Sequence, residues 1–71
     1  MNTREIFSKK LQEAVKFSNI NYAELAKKLN ITKATMSMYK NGKAVPSLET
    51  FDALCDILDV SADFLLGKKE F

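Results

Sequence analysis

The chain has 71 residues, 46% of them apolar, with five Phe, two Tyr and a formal net charge of +2. A chain this short buries only about 60% of the surface it exposes when unfolded, so a single core serves one domain and a deep catalytic pocket has no room. One cysteine cannot close an internal disulfide, and the lack of histidine leaves no metal-ligand cluster. No run approaches the roughly 18 apolar residues of a membrane span. The opening Met1-Asn2-Thr3-Arg4-Glu5 lacks the basic-then-apolar layout of a secretion signal, and a reducing, cytoplasmic setting is expected.

The net charge hides a division. Residues 1–45 carry Arg4 and Lys9, Lys10, Lys16, Lys27, Lys28, Lys33, Lys40 and Lys43 against Glu5, Glu13 and Glu24, a balance of +6. Residues 46–71 carry Lys68 and Lys69 against Glu49, Asp52, Asp56, Asp59, Asp63 and Glu70, a balance of −4. Such asymmetry either points to a polyanionic partner on the N-terminal side or is a solvated surface whose charges happen to segregate.

With two glycines, one proline and no alternating apolar run, the chain reads as short helices joined by tight turns. The first is predicted over about residues 3–17. Asn2 caps it, Glu5 completes a capping box, and Ile6, Phe7, Leu11, Ala14 and Val15 form an amphipathic stripe. Asn19 is the expected stop, because asparagine tolerates left-handed backbone. Asn21 restarts the pattern with Glu24 three residues on, giving a helix over 22–29 that faces Leu25, Ala26 and Leu29 inward. Asn30 takes the turn and Thr32 caps a third helix over 33–40, with Met36 and Tyr39 inward and Asn41-Gly42 at its end. Ser47 caps a fourth over 48–58, where Phe51, Leu54, Cys55 and Leu58 share a face. Ser61 opens a short fifth over 62–66, closed by Gly67, and residues 68–71 are expected to be a mobile tail.

The join between the second and third helices is the most informative feature. Three residues separate them, too few for an antiparallel pair, so they cross steeply and leave the later helix exposed on one side. That geometry needs a small residue at the contact, which Ala26 provides. It needs a residue at ease with positive φ in the turn, which Asn30 provides. It also needs apolar wedges, which Leu25, Leu29, Ile31 and Met36 provide. A generic helical hairpin rarely meets all six conditions.

The run Asn21-Tyr22-Ala23-Glu24-Leu25-Ala26-Lys27-Lys28-Leu29-Asn30-Ile31-Thr32, followed by Met36-Ser37-Met38-Tyr39-Lys40-Asn41-Gly42, resembles the Cro and lambda-repressor type helix-turn-helix, also called the XRE family. Downstream, Pro46-Ser47-Leu48-Glu49-Thr50 and the Leu58-Asp59-Val60-Ser61 turn into Phe64-Leu65-Leu66 resemble the family's fourth and fifth helices. The resemblance covers roughly residues 6–67. It implies an all-α, compact five-helix lambda-repressor-like domain filling residues 1–71. It also implies sequence-specific binding of double-stranded DNA by a prokaryotic or phage transcriptional regulator, expected to be a repressor. Family members usually bind as homodimers on two-fold symmetric operators, with half-sites ~34 Å apart. Where the family often has glycine at the two turn positions this chain has Asn19 and Asn30. Where the second helix often starts with a glutamine that braces the reading helix against a phosphate, this chain has Tyr22, whose hydroxyl can donate from a longer reach.

In that setting the helix starting at Lys33 lies in the major groove. Base contacts are expected from Lys33, which pairs well with guanine O6 and N7, from Ala34, small enough for a thymine methyl, and from Ser37 and Met38. Phosphate contacts are expected from Tyr22, Thr32, Thr35, Lys40, Asn41 and Lys43. Thr32 and Thr35 could equally serve only as caps, and Lys40 and Lys43 only as solvated charges. Dimerisation is expected to use Phe64, Leu65 and Phe71, read as exceeding what the core needs. Met36 and Tyr39 are read as core, Cys55 as a small buried hydrophobe, and Asp52, Asp56 and Asp59 as a solvated row. No cofactor, metal, small-molecule ligand or enzymatic activity is expected. Two rival uses of the same fold are a protein-interaction module of antitoxin or anti-repressor kind and a nonspecific nucleoid-type DNA binder.

Overall fold

Short side chains bearing an oxygen open every helix of this chain. The computed structural model describes residues 2–69. In it Asn2, Asn21, Thr32, Ser47 and Ser61 sit in extended backbone, and each side chain accepts the N–H three residues ahead. Each bond satisfies one of the amide donors that a helix start leaves open, worth typically ~1 kcal/mol. The helices so opened are α1 (Thr3–Ser18), α2 (Tyr22–Leu29), α3 (Lys33–Lys40), α4 (Leu48–Leu58) and α5 (Ala62–Leu65). Among the described residues there is no strand, and the all-α, five-helix architecture stands. Two ends differ by a residue from expectation. α1 runs on to Ser18, whose hydroxyl donates to the Val15 carbonyl at 3.0 Å, and α5 stops at Leu65.

The helix ends share a second device. After α2, α3, α4 and α5 the chain turns through a left-handed residue, respectively Asn30, Gly42, Asp59 and Gly67. In each turn the next residue's N–H reaches back five positions: Ile31 to Ala26, Lys43 to Met38, Val60 to Cys55 and Lys68 to Asp63, all within 2.8–3.0 Å. This pairing occupies carbonyls that a helix end otherwise leaves open and lets the next helix start within a few residues. Lys68, expected in a mobile tail, is thereby tied to α5, while Glu70 and Phe71 lie outside the described residues.

All five helices feed one core. α1 contributes Phe7, Leu11, Ala14 and Val15, α2 Leu25 and Ala26, α3 Met36 and Tyr39, α4 Leu54 and Leu58, and α5 Phe64 and Leu65. Phe7 stands at the centre, edge-on to the Tyr39 ring with centroids 6.4 Å apart and tilted against Phe51 at 6.1 Å. Such aromatic pairs add about 0.5–1.5 kcal/mol beyond area burial, so α1 couples α3 to α4 through one side chain.

The expected surplus of Phe64 and Leu65 at the surface is corrected here. They are 2% and 0% exposed. A four-residue helix has few inward positions, and α5 needs both side chains to close the bundle against α1 and α4. The Lys10 ammonium covers Phe64 further, 5.0 Å from its ring centroid. Neither residue is available to a partner surface in this fold. Phe71, the third residue of that expectation, lies outside the described residues.

Candidate nucleic-acid interface

The α2–α3 crossing is built from the residues that the spacing singled out. Ala26 is buried at the contact, and its carbonyl accepts the Ile31 N–H at 3.0 Å. Asn30 takes φ 57°, a conformation that most side chains resist and that asparagine tolerates. Leu25 and Met36 are fully buried, while Leu29 and Ile31 are partly buried wedges against the same core. Because Met36 and Tyr39 point inward, helical periodicity turns Lys33, Ala34, Ser37, Met38 and Lys40 to solvent, and all five are exposed.

α3 is also held from a direction that the sequence did not reveal. Ser8 of α1 is buried, and its hydroxyl donates to the carbonyl of Lys40, the last residue of α3. Gln12, one turn further along α1, donates its Nε2 to the same carbonyl at 2.9 Å and to Ser8 Oγ at 3.3 Å. Gly42 then passes over Ser8 with φ 73°, where a Cβ would lie 3.6 Å from Ser8 Cβ. α3 is thus gripped at its start by α2 and at its end by α1. The available signal was two polar residues, four apart, bordering the apolar stripe of α1.

The exposed side of α3 divides into two strips. Lys33, Ser37 and Lys40, with Asn41 beyond them, line a cleft of about 250 Å³ whose far wall is Tyr22 and Ala23 of α2. Within it the Lys40 ammonium sits over the Tyr22 ring, 4.7 Å from the centroid, and Asn41 Nδ2 donates to Ser37 Oγ at 3.1 Å. Ala34 and Met38 form the second strip, one turn apart, with Met38 46% exposed. Thr32 and Thr35 lie at the opening of α3. Thr32 Oγ1 accepts the Thr35 N–H at 3.0 Å and donates to Thr35 Oγ1 at 2.9 Å. Both hydroxyls therefore serve the cap, and the second lone pair of each stays open to a further donor. Lys43 is exposed on the loop just after α3, its N–H held by the Met38 carbonyl at 2.9 Å. The structure brings Tyr22, Lys33, Ser37, Lys40 and Asn41 together, with Ala34 and Met38 beside them; Thr32, Thr35 and Lys43 stand outside the cleft at the two ends of α3.

The electrostatics follow the division in the sequence. Lys33, Lys40 and Lys43 lie on α3 and its exit, whereas Asp52, Asp56 and Asp59 lie on α4 and its end. Burial pushes the Tyr22 phenol up, so its hydroxyl stays a donor at neutral pH. Cys55 is half-buried rather than fully buried. Its thiol is pushed up by burial first and then by Asp52 and Asp56, which keeps it protonated at neutral pH and makes it a slower nucleophile than a free thiol. Among the described residues no group of His, Cys, Asp or Glu could hold a metal ion, and no helix is long and apolar enough to cross a membrane.

Comparison with known proteins meets this geometry. The chain is 37% identical over 62 residues to the HTH-type transcriptional regulator ImmR of Bacillus subtilis, covering 87% of this chain and 49% of that protein. It is 36% identical over 61 residues to the HTH-type transcriptional regulator AnsR of the same organism, covering 86% and 53% respectively. It is 28% identical over 64 residues to the HTH-type transcriptional activator BcrR of Enterococcus faecalis, covering 90% and 31%. The chain therefore spans about half the length of the first two and a third of the last. No solved structure matches. Residues 10–66, which include both helices of the crossing, match the Cro/C1-type HTH DNA-binding domain. The chain belongs to the Cro/C1-type helix-turn-helix DNA-binding family.

Proposed function

We propose that this domain binds double-stranded DNA sequence-specifically as the reading unit of a prokaryotic or phage transcriptional regulator, repressing by occupying its operator. α3 enters the major groove with its exposed side toward the bases. The observation that carries this reading is that side itself. A rigidly gripped eight-residue helix turns two lysines, a serine, an alanine and a methionine to solvent. Positive charge supplies the sequence-independent attraction, and the small and hydrogen-bonding side chains between supply the discrimination.

Lys33, in the first turn of α3, donates to guanine O6 and N7, and Ala34 beside it accommodates a thymine methyl. Ser37 and Met38 meet bases one turn further along the groove. Thr32, Thr35, Lys40, Asn41 and Lys43 meet the phosphates on either side, with Tyr22 at the Lys40 end of the cleft. The domain is a single binding module rather than an enzyme, acting in the cytoplasm. It binds as a homodimer on a two-fold symmetric operator with half-sites ~34 Å apart.

Selection of bound duplexes from a random pool, carried out at two salt concentrations, tests the reading. Recovery of a palindromic motif supports it. Retention without enrichment, weakening steeply with salt, would replace it with nonspecific binding, and no retention would point to a protein partner instead. Sedimentation of the protein alone and on the recovered duplex tests the dimer: monomer in both, at high concentration, refutes it.

A further inference from the structure

Tyr22 and Lys40 are the first residue of α2 and the last of α3, and the fold brings them into contact. The ammonium lies 4.7 Å from the ring centroid, inside the ~6 Å range of cation–π attraction. We propose that Tyr22 is a positioning residue for DNA binding: its ring face holds the Lys40 ammonium at the lip of the cleft, ready for a backbone phosphate. The ring, rather than the phenol hydroxyl, is what makes this position matter. The inference rests on the DNA-binding reading, but only on its phosphate-contacting part.

Three observations support it. First, Lys40 is already anchored at its backbone, since its carbonyl takes hydrogen bonds from both Ser8 and Gln12. Its four-carbon stem is then what remains free, and the ring restrains that stem at the charged end. Second, the platform is itself fixed. Tyr22 is half-buried and packs against the core. Third, an aromatic face holds a cation without neutralising it. A carboxylate in that place would cancel the charge that a phosphate needs, whereas a ring occupies only one direction of the three-donor ammonium and leaves the rest for phosphate oxygens. A lysine side chain held in place before binding loses less rotamer entropy when the contact forms, which is how preorganisation raises affinity.

The test uses the intact chain and a mixed-sequence duplex, since phosphate contacts do not depend on base sequence. In the free protein, NMR should show the Lys40 Hε protons shifted upfield by the ring current in wild type and in Tyr22→Phe, and unshifted in Tyr22→Leu. Wild type needs no variant for this reading, so a poorly folding Tyr22→Leu leaves it intact. Duplex affinity should stay within about twofold for Tyr22→Phe and fall about two- to fivefold for Tyr22→Leu. On a Lys40→Ala background, Tyr22→Leu should cost nothing further. Three results would each overturn the inference: no upfield shift in wild type, a loss for Tyr22→Phe as large as for Tyr22→Leu, or a Tyr22→Leu loss undiminished by Lys40→Ala. A wild-type protein that shows the shift but retains no duplex would overturn the DNA reading, and the positioning role with it, while leaving the side-chain pair established.

Discussion

Removing the Ser8 hydroxyl tests whether α1 holds α3 in place. Ser8→Ala deletes the hydrogen bond to the Lys40 carbonyl but leaves that carbonyl its second donor, Gln12 Nε2 at 2.9 Å. The expected loss is that of one net hydrogen bond, about 0.5–1.5 kcal/mol. Gln12→Ala removes the more exposed bond and leaves Ser8 in place, so about 0.5 kcal/mol is expected. The double variant strips the carbonyl of both donors. The carbonyl is partly buried, so leaving it without a protein donor adds to the loss, and the double should exceed the sum of the singles by up to roughly 1 kcal/mol. In a domain of this size each kcal/mol moves Tm by about 4–8 °C, well within the resolution of a thermal melt. Urea unfolding followed by far-UV circular dichroism gives the free energies, and amide exchange at Asn41 to Lys43 reports whether the end of α3 loosens. Strictly additive losses below ~0.3 kcal/mol would instead mean that the carbonyl is solvated and that α1 does not restrain α3.

Asp59 sits in left-handed backbone at the C-terminal end of α4, where the helix dipole also disfavours its charge; Asp59→Gly should raise stability by about 0.5–1.5 kcal/mol in urea titration. Gly67→Ala should do the opposite, costing about 1–3 kcal/mol, since φ is 73° and the new Cβ would meet Ile6 Cγ2 at 2.5 Å. The Cys55 thiol and the Tyr22 phenol are both pushed up in the fold, so unfolding releases their protons at lower pH than the folded chain does. Stability from this source is intact below the ordinary thiol range and falls as pH rises from about 8.5, and alkylation of Cys55 should be slower than that of a free thiol, speeding up with salt as Asp52 and Asp56 are screened. In DNA selection, Lys33→Ala should relax a single base position by about 1–3 kcal/mol, whereas Lys40→Ala should weaken all duplexes alike and lower the salt slope by about 1. An unchanged motif for Lys33→Ala would remove that residue from the base contacts.

What the sequence made legible is mostly what is local. Caps at Asn2, Asn21, Thr32, Ser47 and Ser61 act within three residues, and the stops at Asn19, Asn30, Gly42 and Gly67 announce themselves by residue type. Helix boundaries therefore came within a residue of the structure. Asp59 escaped notice as a left-handed stop because aspartate is a rarer choice than asparagine or glycine there. The outward positions of α3 followed from period alone, once Met36 and Tyr39 were assigned to the core.

What stayed hidden depends on contacts between distant segments. Nothing in the spacing of α1 says that Ser8 and Gln12 meet the end of α3, and nothing places the Lys40 ammonium over the Tyr22 ring. The error at Phe64 and Leu65 has the same origin. Amphipathicity identifies apolar side chains but not how many a core consumes, and a small bundle with one short closing helix consumed both.

The proposal that the exposed side of α3, not the acidic end of the molecule, meets DNA has a direct readout. Titration of the isotope-labelled chain with duplex, followed by amide and side-chain NMR shifts, tests this most directly. Perturbations should concentrate at Tyr22, Ala23 and residues 32–43 and grow weaker with salt, with Asp52, Asp56, Asp59 and Asp63 unaffected. Perturbations centred on α4 and α5, or none at saturating duplex, would contradict it.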